Sequence, residues 1–216
     1  MKYQHIIFDL DGTLTDSGPG IRNAVKHALK KYGIEENDTA NLNRFIGPPL
    51  YDSFMRFYGI SEEEAAKGEN YFREYYRDIG IFENSVYDGI INCLEKLKEG
   101  GVKLYIATSK PDFMAEKVLL HFGLKKYFTD VCGADIENGR CSKKDVLALL
   151  LNGNPEITCE NAVMVGDREH DIFGAGNFGI KGIGVLWGYG SQDELRIAGA
   201  DFISETPESL YKYILS

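Results

Sequence analysis

The sequence predicts an α/β protein: a Rossmann-like parallel sheet with helices on both faces, with an all-helical domain inserted after the first strand. Three observations predict it. From Val86 onward short apolar runs alternate with runs of helical period, the pattern of parallel strands joined by crossover helices. His5–Phe8 has the same buried-strand character although it stands far from the others. Between them, residues 17–82 carry helical periodicity and no evident strand. The expected division is a core of 1–16 with 83–216 and a helical cap of 17–82.

The elements follow in order. After the first strand, Ile21, Ala24, Val25, Ala28, Leu29 and Tyr32 recur at helical spacing, and Gly33 is placed to end that helix. Leu42 to Ile46 leads into the Gly47-Pro48-Pro49 break, and Leu50, Phe54, Phe57 and Tyr58 mark the next helix. Ser61 followed by Glu62, Glu63 and Glu64 is a helix start, and its helix runs through Tyr71, Phe72, Tyr75 and Tyr76. These aromatics read as packing between helices. The core resumes with a helix at 88–99 closed by Gly100-Gly101, a strand Val102 to Ala107, and a helix from Pro111 to Phe122. A strand at Val131 to Ala134, a helix from Lys143 to Leu151, and a strand at Ala162 to Val165 come next. A helix from Asp171 to Phe178, a strand Ile180 to Val185, a helix near 192–198, a strand at 201–203 and a helix from Pro207 complete the chain.

Composition narrows the function. The 216 residues are 44% hydrophobic and 26% charged, ordinary for a globular protein. A net charge of −9 lacks the basic face that nucleic acid requires, though a locally positive site for a small anion is compatible with it. None of Cys93, Cys132, Cys141 and Cys159 forms a C-x-x-C pair, which argues against a thiolate zinc site and a disulfide framework. No long apolar stretch precedes the first strand, so no leader is expected, and no run approaches the ~20 residues of a membrane span. A cytoplasmic protein, monomeric by default, is expected.

The chemistry lies beyond the strand ends, where open parallel sheets carry their functional groups. Asp9 and Asp11 follow the first strand and, two residues apart, share one side if extended geometry persists. Two carboxylates in one space repel unless a cation or proton separates them, so a divalent metal is expected. Thr108, Ser109 and Lys110 follow the second core strand, Lys143 and Lys144 open a helix, and Gly166-Asp167-Arg168-Glu169-His170-Asp171 follows a later strand. Acids, hydroxyls and a lysine on one edge fit metal-assisted phosphoryl transfer. An ionised aspartate can attack phosphorus, and a second acid can protonate the leaving oxygen and then activate water. Magnesium, which takes carboxylate oxygens and waters, would cancel charge. Each position also has a plainer reading. Asp-Gly is ordinary turn chemistry, Thr108 could cap a helix, Asp171 could stabilise a helix N-terminus, and His170 reads as a surface residue.

Asp9-Leu10-Asp11-Gly12-Thr13, Ile106-Ala107-Thr108-Ser109, Lys143 and Gly166–Asp171 together resemble the haloacid dehalogenase-like (HAD) phosphatases, over the whole chain including a helical cap. Phe45–Leu50 and Gly184–Ser191 look most like the phosphoglycolate phosphatase-like members. The resemblance implies Asp9 as nucleophile, Asp11 as general acid/base, Thr108 as phosphoryl ligand and Lys143 as the charge steadying nucleophile and phosphate. Magnesium would sit on Asp9, the backbone carbonyl of Asp11 and Asp167, with Asp171 binding directly or through water. Ser109 and, in the cap, Gly47 are implied on the substrate side. Many relatives have proline soon after the third-motif lysine; here Cys141-Ser142-Lys143-Lys144-Asp145 leaves two candidates, and spacing to the following helix favours Lys143.

The function expected is therefore a magnesium-dependent phosphomonoesterase acting on a small phosphorylated metabolite, phosphoglycolate favoured. A 5′-nucleotidase and a β-phosphoglucomutase-like mutase share the chemistry. A dehalogenase does not need Asp11 or a metal. A receiver-type phosphoacceptor module would be shorter and lack the helical insertion. The cap sets the substrate and is the least readable part of the sequence.

Overall fold

His5–Phe8, four consecutive buried residues, form the inner strand β1 of a six-stranded sheet. The protein is described by a computed structural model covering residues 2–135, 139–140 and 142–216. After β1 come β2 (Thr15–Asp16), the helices α1 (Gly18–Lys31), α2 (Thr39–Asn43), α3 (Leu50–Tyr58) and α4 (Glu62–Tyr76), and β3 (Ser85–Val86). Then follow α5 (Ile90–Glu99), β4 (Lys103–Pro111), α6 (Asp112–His121), β5 (Asp130–Ala134), α7 (Lys143–Gly153) and β6 (Ala162–Gly166). The chain ends with α8 (Glu169–Gly176), β7 (Lys181–Val185), α9 (Gln192–Ile197), β8 (Phe202–Ser204) and α10 (Pro207–Leu215).

The chain divides into two compact units: Met1–Thr15 with Val86–Ser216, and Asp16–Ser85. In the first, the sheet order is β5-β4-β1-β6-β7-β8, and the neighbouring strands pair in parallel. The sequence expectation of a parallel α/β sheet holds. Strand side chains alternate between faces, and both sets are buried in β1: Ile6 and Phe8 on one side, Ile7 on the other. The Ile7 face packs with Tyr105, Met164, Val146, Leu147, Leu150 and Ala175, so α7 and α8 cover it. On the opposite face the rings of Phe8 and Phe128 meet edge-on at 6.4 Å.

The second unit is helical. Ser61 caps α4 by accepting from Glu64 N–H, as its position before three glutamates predicts. Phe72 and Tyr76 stack at 5.0 Å, and Tyr32 meets Tyr71 edge-on at 5.8 Å, so these aromatics pack within the unit. Arg44 lies 3.8 Å over the Phe57 ring, and Arg73 pairs with Glu69 at 3.1 Å. No helix among the described residues is long and apolar enough to cross a membrane. Cys93, Cys132 and Cys159 are free thiols; Cys141 lies outside the described residues.

Two of the boundaries that differ from expectation bear on the site. β4 continues past Ala107 to Pro111, with an irregular register between those residues. Its apolar signal stops early because Thr108 and Lys110, both buried, are polar for reasons the next subsection gives. Helix α8 begins at Glu169 rather than Asp171, because the Asp171 carboxylate reaches back to accept Arg168 N–H at 3.1 Å. An acid in the third position of a helix is a capping group as much as an opening residue.

Candidate active site

The site stands at the carboxyl ends of β1, β4 and β6, three of the inner strands of the sheet. Asp9 extends β1 by donating its N–H to Val165 O at 2.9 Å. The chain then folds back tightly: Leu14 and Thr15 both donate to Leu10 O, at 2.9 and 3.1 Å. Gly12 sits inside this turn at φ 82°, and a β-carbon there would overlap the Asp167 carboxylate. Backbone conformation and close approach both require glycine at this position.

Asp9, Asp167 and Asp171 each offer a carboxylate oxygen within 4.8 Å of the others. Asp167 and Asp171 are buried, with 0% and 1% exposure. Lys143, the first residue of α7, places Nζ 2.9 Å from Asp9 Oδ1 and 2.8 Å from Asp171 Oδ1, and donates to Ala107 O at 2.9 Å. It is buried, whereas Lys144 is exposed. Of the two lysines it is Lys143 that the structure brings to the acids, as the spacing favoured.

The electrostatics follow from this crowding. Burial pushes the Asp167 carboxyl up to about 8, and the neighbouring Asp171 and Asp9 carboxylates add to the effect. Burial likewise raises Asp9 to about 6, with Lys143 opposing and Asp171 reinforcing the shift. Burial alone would lower the Lys143 ammonium, but Asp171 and Asp9 outweigh it and hold its proton more tightly than usual. Three clustered carboxylates, two buried and Asp9 partly so, face one ammonium in a space lined by hard oxygen donors. That donor set fits magnesium or another oxygen-preferring divalent cation, so the residues present suit the metal that the motifs imply.

Asp167 is held on both oxygens. Thr13 Oγ1 donates to Oδ1 at 3.1 Å and Tyr189 N–H to Oδ2 at 2.9 Å. Trp187 Nε1 donates to Thr13 O at 2.9 Å, so the segment after β7 ties the first turn to the fourth motif. Asp171 serves two purposes: Oδ2 caps α8 while Oδ1 faces Lys143. The plain capping reading of this residue is therefore correct but incomplete.

The remaining residues sort by the pleat of β4. Thr108 is buried and accepts Lys110 N–H on its hydroxyl oxygen at 3.2 Å, which leaves the hydroxyl hydrogen free to be donated. Ser109 is exposed. Lys110, which sequence reasoning names beside Thr108 and Ser109, is given no role by it. Its side chain is buried and Nζ reaches both Asp11 oxygens, at 3.1 and 2.9 Å. The available signal was its spacing, since Thr108 and Lys110 share one face of an extended strand. Gly47 belongs to the other unit, where φ 105° turns the chain ahead of Pro48-Pro49. His170 is exposed, as expected of a surface residue.

Residues 6–185 match the family model of the haloacid dehalogenase-like hydrolases. The chain belongs to this family, and the resemblance read from its motifs is correct. Within the family it stands with phosphatase-named members. It is 43% identical to a 5′-nucleotidase of Pseudomonas aeruginosa over 91% of this chain and 88% of that protein. It is 30% identical to a phosphoglycolate phosphatase of Vibrio cholerae over 97% of this chain and 96% of that one. It is also 42% identical to the tyrosine-protein kinase PtkA of Mycobacterium tuberculosis, over 94% of this chain and 66% of that protein. A predicted phosphatase of Clostridium acetobutylicum has the same fold, with a TM-score of 0.94 and 42% identity over 100% of this chain and 99% of the other.

Proposed function

We propose that this chain is a magnesium-dependent phosphomonoesterase that works through an aspartyl-phosphate on Asp9. The observation carrying this reading is the convergence of Asp9, Asp167 and Asp171 around Lys143 at the sheet's carboxyl edge. Asp9, Asp167 and Asp171, with the backbone carbonyl of Asp11, would hold magnesium, which supplies positive charge to the phosphoryl oxygens and carboxylates. In the first step an Asp9 oxygen attacks phosphorus, the bond from phosphorus to the ester oxygen breaks, and Asp11 gives that oxygen its proton. In the second, Asp11 takes a proton from water, whose oxygen attacks the aspartyl-phosphate and releases inorganic phosphate and the Asp9 carboxylate. Lys143 steadies charge on Asp9 and the phosphoryl group, and Thr108 donates its free hydroxyl hydrogen to a phosphoryl oxygen. Lys110 orients Asp11.

The substrate class is a small phosphorylated metabolite. A 5′-nucleotide ranks first because the nucleotidase relative is 43% identical, ahead of phosphoglycolate, where the relative is 30% identical. That order reverses the preference drawn from the motifs. Ser109 and Gly47 remain proposed substrate contacts. A reducing, cytoplasmic setting suits the free thiols Cys93, Cys132 and Cys159.

The test is phosphate release from a panel of nucleoside 5′-monophosphates, phosphoglycolate and sugar phosphates, with magnesium and with chelator. Magnesium-dependent turnover strongest on the nucleotides supports both chemistry and ranking. Asp9→Asn is expected to abolish turnover while circular dichroism and melting stay close to the parent. Substantial release by that variant overturns the nucleophile assignment.

A further inference from the structure

We propose that Glu194 on α9 is a positioning residue for the acid loop Asp167–Asp171, and that the segment Trp187–Glu194 braces this loop for cation binding. One carboxylate oxygen of Glu194, Oε1, accepts two hydrogen bonds from the loop. Arg168 Nε donates to it at 2.7 Å and Glu169 N–H at 3.0 Å. Both donors lie between Asp167, at the start of the loop, and Asp171, inside the first turn of α8. The contact therefore fixes the separation of the two buried carboxylates. It also draws the Arg168 guanidinium toward α9, although Arg168 is adjacent to Asp167 in the chain.

Glu194 is itself held. Ser191 caps α9 by accepting Glu194 N–H at 3.1 Å, so the side chain projects from an ordered helical turn. The side chains of Arg168 and Glu194 are only 20% and 21% exposed, which limits screening of their charge pair. The rest of the segment touches the same loop independently. Tyr189 N–H holds Asp167 Oδ2 at 2.9 Å, and a β-carbon at Gly190 would overlap Asp167 O. Backbone, glycine packing and a charged side chain from one stretch thus converge on one loop. Outer contacts of this kind commonly change metal affinity 10–100-fold without touching the metal.

The inference rests on the proposed metal reading, and the experiment separates the two. Magnesium chloride is titrated calorimetrically into the full chain, Glu194→Ala and Glu194→Gln, with magnesium-dependent phosphate release measured in parallel. Glu194→Ala is expected to weaken magnesium binding about 10-fold or more. Glu194→Gln keeps an acceptor oxygen for both donors and is expected to recover most of that loss, which a role confined to general stability would not produce. Arg168→Ala is expected to lose part of the affinity, and adding Glu194→Ala to it should then cost less than in the parent. Parent-like magnesium affinity in Glu194→Ala, or a Glu194→Gln as impaired as Glu194→Ala, overturns the positioning role. A parent protein that binds no magnesium overturns the metal reading and this proposal with it.

Discussion

Asp167 and Asp9 carry the most consequential charges, because burial raises both well above an ordinary carboxyl, to about 8 and about 6. A carboxyl raised in the folded state keeps a proton there at a pH where the unfolded chain has lost it. The stability it contributes is complete below the ordinary carboxyl range, near 4, and is lost as pH rises through about 6 for Asp9 and about 8 for Asp167. The metal-free protein is therefore expected to melt at progressively lower temperature across this window. Magnesium, which binds the ionised carboxylates, should raise the melting temperature more at about pH 8.5 than at about pH 5.5. Thermal unfolding with magnesium and with chelator at the two pH values checks this, and an equal shift at both sinks it. Lys110 teaches a separate lesson at this scale. Nothing in the sequence gives Lys110 a partner, yet its side chain is buried against Asp11, and pairing with a group from a distant strand end helps make that burial tolerable.

At the scale of elements, each functional side chain is delivered by a strand end or a helix start. Lys143 owes its place to the start of α7, where Ser142 and Asp145 form a reciprocal cap: Ser142 Oγ accepts Asp145 N–H at 3.2 Å and Asp145 Oδ2 accepts Ser142 N–H at 3.0 Å. Removing such a cap costs about 1 kcal/mol. Ser142→Ala is expected to lower the melting temperature by roughly 2–4 °C and to reduce turnover several-fold by loosening the residue beside it. Calorimetry and steady-state kinetics read the two effects; unchanged turnover in a destabilised variant separates the cap from the site. The β4 and α8 boundaries were misjudged for one reason. Residues recruited to the site replace the apolar or capping residues that mark where an element stops.

At the scale of the whole molecule, the acids, lysines and threonine of the candidate site all lie in the unit Met1–Thr15 with Val86–Ser216. That unit has its own two-sided core around β1, and the helical unit has its own packing of aromatics. A variant joining Thr15 to Val86 through a short flexible linker is expected to fold, to bind magnesium and to hydrolyse a small activated phosphate ester. Loss of discrimination among the metabolites of the panel is the outcome expected from the sequence reading in which the cap sets the substrate. A folded deletion variant that keeps the parent's substrate preference places selection in the sheet unit instead.

Local order determined what the sequence could reveal by itself. Apolar periodicity located strands and helices, serine before glutamates marked the α4 start, and four motifs in the right order identified the family and named the acids of the candidate site. These signals are legible because each depends on neighbours along the chain or on residue type alone. Tertiary structure decided the rest. Sheet order set β1 between β4 and β6 and so brought Asp9 and Asp167 together. The same packing chose Lys143 over Lys144, paired Lys110 with Asp11, and set Glu194 against the acid loop. Each of these depends on the energy of burying a charge beside a partner far away in sequence, a quantity that exists only once the strands have come together.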